Sequence, residues 1–349
     1  MSVRVAVVIV NFNGAGHVAD CLRSLFNQTF IDLSVTVLDN ASTDGSADLI
    51  EREFPEVALL RSPVNVGFAA GSNAAIRHAL DRDDPEFVFT LNNDVRLEER
   101  CLEELVRAMD GAPREVWSCQ PKIYLDRGPG GPPVINNAGI LVWRDGSAYN
   151  RGINQVDRGQ FDDETDIFGT CAAASLYRRS ALEEVGLFDE EFFAYLEDVD
   201  LAWRGRRAGF RSLLCPVAVC YHLHGASGTD PRRKVRMLER NRLLVLANNY
   251  AASDMLLSFA FTLYRFARLS MLGIGMRGSD GGRFAAYGGG GGACALAVAV
   301  AAGTLEGLGK AVPRLVRRRR TGMDGTLSRG DTRALLRRYS APLSGLLSA

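Results

Sequence analysis

Val5-Ala6-Val7-Val8-Ile9-Val10, followed at once by Asn11-Phe12-Asn13-Gly14, decides how this chain is read. A short apolar run closed by polar and turn-forming residues reads as a buried strand with a polar C-terminal end. The pattern recurs twice. Ser34 to Leu38 runs into Asp39-Asn40-Ala41-Ser42-Thr43-Asp44-Gly45-Ser46, and Phe87 to Leu91 runs into Asn92-Asn93-Asp94. A fourth polar group, Tyr195-Leu196-Glu197-Asp198-Val199-Asp200, comes later. In open α/β sheets the carboxyl edge of the strands is where ligands bind, so the pattern points to an enzyme with one active edge.

Working outward, strands alternate with helical patterns. A helix is expected over about His17 to Phe26 and others from near Ser46, Gly71 and Glu98, with a further strand at Val57 to Arg61. This βαβ alternation predicts an α/β fold, with a mostly parallel sheet wrapped by helices in the first ~120 residues. Gly128 to Pro133 reads as a loop, and Asn136 to Asn150 as a hairpin or irregular excursion. Helices are expected again over Arg179 to Val185 and over Glu197 to Ala208, the latter closed by Gly209.

The chain has 349 residues, 47% hydrophobic and 23% charged, enough to bury a sizeable core. Its formal charge is zero, but residues 310–349 hold ten Lys/Arg against Asp324 and Asp331, so a +8 tail follows a −8 body. Such a tail suits an anionic surface or a solvated helix, and the lack of interleaved aromatics argues against nucleic acid. Seven cysteines without a CxxC pair suggest reduced, mostly buried thiols. The start, Met1-Ser2-Val3-Arg4, carries no signal-peptide pattern, so a cytoplasmic location is expected. Past Tyr250 the composition shifts: Met255 to Leu272 is apolar with Arg265 and Arg268, and Phe284 to Leu305 is charge-free but mostly Gly and Ala. A membrane span, an interfacial helix and ordinary packing are all open there. The expected organisation is a catalytic domain over 1–250, an apolar helical membrane-associating region over 251–309 and a basic tail over 310–349.

The chemistry gathers on few residues. Asp39 can set a carboxylate beside a nucleobase or ribose, while Ser42, Asp44 and Ser46 can cap the next helix. The small residues of Asn65-Val66-Gly67-Phe68-Ala69-Ala70-Gly71-Ser72-Asn73 let a backbone approach a ligand closely at a helix N-terminus. Asp94 after Asn92-Asn93 offers hard oxygens for Mg²⁺ or Mn²⁺. Glu197 and Asp198 open a helix whose dipole favours ionised carboxylates, as a general base requires. Asp200 and Arg204, spaced i, i+4, suggest a surface pair. His222 and His224 alternate as on a strand, and one of them can join Asp94 at a metal; a zinc site with Cys215 and Cys220 is the alternative.

Together Asn11-Phe12-Asn13, the Leu38 to Ser46 segment, Asn65-Val66-Gly67-Phe68-Ala69, Leu91-Asn92-Asn93-Asp94, Gly186-Leu187-Phe188-Asp189, Glu197-Asp198-Val199-Asp200-Leu201 and Arg240-Asn241-Arg242 resemble the family 2 glycosyltransferases of GT-A fold, nearest the bacterial rhamnosyltransferase-like branch. The resemblance covers roughly residues 3 to 250. It implies an inverting transfer from a dTDP-, UDP- or GDP-linked sugar to a glycan or lipid-linked acceptor, with a divalent cation, at the cytoplasmic face of the inner membrane. It implies donor binding by Asn11, Asn13, Asp39, Asn40, Asp44, Gly67, Phe68, Asn73 and Asn93, and a metal or diphosphate held by Asp94 and His222. Asp198 is then the base beside Glu197, and Gly169 and Thr170 lie on the acceptor side. The family's metal motif often has acids on both sides; here Asn92 takes the first position and leaves Asp94 as the main charged ligand. Two other classes remain open: a non-catalytic sugar-nucleotide-binding assembly factor at the membrane, and a nucleotidyltransferase, which is expected to carry a basic Gly-rich loop that Asn11-Phe12-Asn13-Gly14 lacks.

Overall fold

The computed structural model describes residues 3–128, 130–223, 230–250, 252–275, 292–321 and 329–340. His224 and residues 284–291 lie outside them. Two compact units result: residues 1–140 with 150–227, and residues 141–149 with 228–349. The helix Pro231–Asn249 thus groups with the segments beyond residue 250.

In the first unit β1 (Val5–Asn11), α1 (Val18–Phe26), β2 (Leu33–Asp39), α2 (Ser46–Glu53), β3 (Ala58–Arg61), α3 (Gly67–Asp83) and β4 (Phe87–Asn92) alternate strictly. The apolar run of β1 is continuous because both of its faces are covered. Val5, Val7 and Ile9 pack with Val18, Cys21, Leu22 and Leu25 of α1. Ala6 and Val8 point the other way, into a cluster with Ala75, Ile76 and Ala79 of α3. The strands β1 to β4 pair in parallel, β4-β1-β2-β3. Then follow β5 (Val95–Leu97), α4 (Cys101–Asp110), β6 (Val116–Leu125) and β7 (Ile135–Asn137); β8 (Ile140–Val142) and β9 (Ala148–Asn150) fall mostly in the second unit, and the first resumes with β10 (Asp166–Ile167), β11 (Ala174–Arg178), α5 (Arg179–Val185), α6 (Glu197–Arg207) and β12 (Arg211–His222). The sheet becomes mixed at β11, which runs antiparallel to both β4 and β6.

Two boundaries moved for identifiable reasons. α3 starts four residues before Gly71, because Asn65 Oδ1 accepts the N–H of Gly67 and supports an earlier turn. α4 starts three residues after Glu98, whose N–H is given to Val219 O and whose carbonyl takes Gln28 Nε2. The Asp200–Arg204 pair is not on the surface. Asp200 is fully buried, its Oδ2 2.9 Å from Arg204 Nε, while that guanidinium also donates to the carbonyls of Val185, Gly186 and Leu187. The pair ties α6 to the end of α5.

In the second unit α7 (Pro231–Asn249), α8 (Ala252–Gly275), α9 (Gly292–Thr321) and α10 (Arg329–Arg338) accompany the 141–149 segment. α9 meets α7 through Ala299, Gly303, Gly307 and Ala311, a small-residue stripe at i, i+4 spacing. A Cβ on Gly303 would lie 2.3 Å from Arg236 O, so only glycine permits this approach. Inside the unit, Arg265 pairs with Asp145 and Glu239, and Arg242 with Glu239, so these buried charges are balanced. Among the described residues no helix is long and apolar enough to cross a membrane.

Candidate active site

Strand register does the first assembly. Asn11 pairs with Asp39 and Val10 with Asn92, so the polar ends of β1, β2 and β4 are adjacent. Asn11 is completely buried and forms the hub: its Nδ2 donates to Asp39 Oδ1 at 2.9 Å and to Ser46 Oγ at 2.8 Å, and its Oδ1 accepts from Asn93 Nδ2 at 2.9 Å. Gly14 leaves room for this hub, since a Cβ there would stand 2.2 Å from Asn11 Oδ1. Asp39, also buried, accepts the N–H of Ser42 on its second oxygen. Asn13 fixes the facing loop, accepting from Thr43 N–H while its own N–H donates to Ser42 Oγ.

Asp44 caps the turn into α2, accepting from the N–H and Oγ of Ser46 and from Ala15 N–H. Burial pushes its carboxyl up, but these three hydrogen bonds outweigh burial and hold it below the usual carboxylate range. Asn40 braces the 65–67 loop by donating to Asn65 Oδ1 and Gly67 O and accepting from Val66 N–H. Asn73 is engaged at both ends: Nδ2 donates to Phe188 O and Glu190 Oε1, and Oδ1 accepts Phe188 N–H. Phe68 packs edge-on against Phe188 with centroids 5.9 Å apart.

Sequence reading missed the segment that joins this loop to the carboxylates. Phe193, Tyr195 and Leu196 all hold left-handed φ values, of 63°, 71° and 66°. Such conformations are costly for residues with a Cβ and persist where the surroundings enforce them. Phe193 O accepts the N–H of Ala69, and Gly67, at φ +86°, lies directly under the Phe193 ring. A Cβ on Gly67 would stand 2.6 Å from both the Phe193 ring and its carbonyl oxygen. Gly67→Ala is therefore expected to cost about 1–3 kcal/mol, from the strained φ and the overpacking together. Thermal denaturation checks this, and an unchanged midpoint would contradict the close approach.

Glu197 and Asp198 begin α6 as expected, but the helix dipole does not control them. Glu197 is 6% exposed and its Oε2 has no partner among the described residues. Burial, then the charge of Asp198, pushes its carboxyl up to about 8. Burial also raises Asp198, though the N–H groups of Ala172, at 3.3 Å, and Val199, at 2.8 Å, oppose it. The two carboxyls therefore titrate as a coupled pair, both raised by burial. A raised carboxyl pKa means the folded state binds the extra proton between its ordinary value of 4.5 and about 8, so stability falls as pH rises through that window. Glu197→Gln, neutral throughout, is expected to escape this loss. Its melting temperature relative to the parent should climb from pH 5 to pH 8, and a pH-independent difference would refute the protonated Glu197.

Asp94 meets His222, with Oδ1 3.2 Å from Nε2. The other ring nitrogen, Nδ1, lies 3.1 Å from Asn136 Oδ1. A carboxylate oxygen and an imidazole nitrogen facing each other call for a proton or cation between them, and the pair suits Mn²⁺ better than Mg²⁺. Among the described residues no group of three or more His, Cys, Asp or Glu is placed to hold a metal, so a cation here would draw further oxygens from substrate or water. Cys21, Cys101, Cys119, Cys215 and Cys220 are buried free thiols and Cys171 is a part-buried one.

Gly169 and Thr170 are buried behind α6 rather than open to a ligand. A Cβ on Gly169 would be 2.2 Å from Ala202 Cβ, and Thr170 Oγ1 bonds Tyr177 OH at 3.2 Å. Cys171 and Ala172 lie beside Asp198. The strand end and the carboxylates are linked directly, since Asn92 N–H donates to Ala173 O next to Ala172.

Residues 6–186 match the family model described as Glycosyl transferase family 2. An N-acetylglucosaminyl-diphospho-decaprenol L-rhamnosyltransferase of Mycobacterium tuberculosis is 28% identical over 263 residues, which cover 70% of this chain and 84% of that protein. The low-salt glycan biosynthesis hexosyltransferase Agl10 of Haloferax volcanii is 24% identical, covering 76% and 81%. Among solved structures, S. aureus TarS 1-349 in complex with UDP-GlcNAc has a TM-score of 0.50 at 18% identity, covering 71% of this chain and 68% of that one. GalNAc-T7 with UDP, GalNAc and Mn²⁺ has a TM-score of 0.51 at 15% identity, covering 70% and 48%. These structural likenesses concern the fold alone.

Proposed function

Because this chain belongs to glycosyl transferase family 2, we propose that it moves a hexosyl group, L-rhamnose first among the candidates, from a nucleoside-diphosphate sugar to a hydroxyl of a lipid-linked glycan, with inversion and with a divalent cation. The observation that carries this reading is the run of contacts along one sheet edge, from Asp39 through Asn11 and Asn93 to Asp94–His222, and through Asn92 and Ala173 to Asp198. Rhamnose and the lipid-linked acceptor are supported by the name of the mycobacterial relative, of whose length this chain spans 84%. That acceptor chemistry favours work at the cytoplasmic face of a membrane.

Asp39 and the loop from Asn65 to Gly67 receive the nucleoside. Asp94 and His222 would hold a divalent cation, whose chemistry would be to neutralise charge on the diphosphate. The acceptor oxygen attacks the anomeric carbon from the face opposite the diphosphate. As the new C–O bond forms, the bond to the diphosphate oxygen breaks, and the hydroxyl proton passes to Asp198.

The test is binding of dTDP-, UDP- and GDP-sugars to the purified chain, with and without Mn²⁺ or Mg²⁺, followed by hydrolysis of whichever binds. Selective, cation-aided binding with slow release of nucleoside diphosphate is expected. If no sugar nucleotide binds under any condition, the transferase reading falls and a non-catalytic module replaces it.

A further inference from the structure

The two long helices α8 and α9 are turned inside out. A helix on a water-soluble protein directs its apolar stripe inward and its charges outward. On α9 the inward stripe consists of alanine and glycine, while Val298, Leu305, Leu308, Val312 and Val316 stand outside, Leu305 at 72% exposure. Their spacings of seven, three, four and four keep them on one face over some five turns. Glu306, Lys310 and Arg314 are half-buried toward the inner side, and from residue 297 to 316 none of the exposed residues described is charged. α8 repeats the inversion. Leu257, Phe259 and Leu263 are exposed, whereas Asp254 and Ser258 are buried and Arg265 reaches inward to Asp145 and Glu239.

Polar side chains inside and aliphatic ones outside are the distribution of a protein surrounded by lipid. Since neither helix is long and apolar enough to cross a membrane, the face suits helices lying in the interface. Charge selects the occupant. In sequence the apolar face of α9 is followed by Arg317-Arg318-Arg319-Arg320, α10 adds Arg329, Arg337 and Arg338 beside Arg333, which is paired with Asp254, and residues 310–349 sum to +8. An anionic headgroup layer neutralises that charge, whereas a second copy of the chain would bring an equal positive charge to the same contact. We propose that the outward faces of α8 and α9 dock on an anionic bilayer, inserting Leu305 and Val312 below the headgroups while the arginines pair with lipid phosphates. The inference rests on these helices alone and stands whether or not the transferase reading holds.

Co-sedimentation of the full chain with vesicles of phosphatidylcholine and phosphatidylglycerol in equal parts tests it. Strong binding is expected, weaker in high salt and weaker to phosphatidylcholine alone. The double variant Leu305→Asp/Val312→Asp should bind at least about tenfold more weakly, and Leu263→Asp should weaken binding independently through α8. Both variants change exposed residues, so their melting curves and sugar-nucleotide binding should match the parent's. Undiminished sedimentation of the double variant, or no binding of the parent to anionic vesicles, overturns the proposal. So does a dimer in sedimentation equilibrium that the double variant dissolves without any change in vesicle binding, which would give the face to a second copy.

Discussion

Asp198→Ala is expected to lower turnover by ~10²-fold or more while leaving affinity for the sugar nucleotide nearly unchanged. The asymmetry follows from where the residue sits. Asp198 is held by the N–H groups of Ala172 and Val199, away from the Asp39–Asn11 hub, so its loss removes a proton acceptor without touching the nucleoside contacts. A general base works best with a pKa near the working pH, and burial moves Asp198 in that direction. A base must be ionised to act, so kcat/KM should fall as pH drops through a pKa above the ordinary carboxylate range. In Asp198→Asn that acidic limb should vanish along with most of the rate. Steady-state kinetics against pH, paired with calorimetric titration of the donor, separate the two effects. A parallel loss of binding and turnover would remove Asp198 from the role of base.

The second large effect is expected at Asp94. Asp94→Ala should weaken sugar-nucleotide binding roughly tenfold or more in the presence of Mn²⁺, and much less in the presence of a chelator. With the carboxylate gone, His222 keeps its Nδ1 contact to Asn136 but loses the charged partner on Nε2, so the cation would be left with one neutral protein ligand. Titrations of parent and variant with and without cation make a double comparison. An equal loss in both conditions would mean that Asp94 contacts the donor or supports the loop, and that the cation plays no part. Equal activity of the parent with and without chelator would remove the cation altogether.

Much of this site was legible before any coordinates. The polar ends of β1, β2 and β4 could be named because an apolar run that stops at Asn or Asp marks a strand end locally, and parallel alternation then brings those ends together. Asp94 and His222, two of the residues named together from their chemistry, lie 3.2 Å apart. The surroundings of other residues were not legible. Gly169 and Thr170 were placed on the acceptor side, and the fold buries both, Gly169 against Ala202 of α6 and Thr170 against Tyr177 of β11. Asn73 looked like a ligand contact, yet both ends of its amide are taken by residues more than a hundred positions away. Asp200 and Arg204 have the spacing of a surface pair, and spacing does not reveal that their face of α6 is covered.

The sequence by itself determined the alternation of strands and helices, the edge on which chemistry gathers and the charge contrast between body and tail. These depend on residues that are neighbours along the chain, where periodicity, turn residues and net charge act. Only the tertiary structure decided that burial raises the Glu197 carboxyl, that Phe193 to Leu196 is bent over Gly67, and that α8 and α9 carry their apolar faces outward. Desolvation, close approach and exposure depend on what lies nearby in space, and no local pattern encodes that.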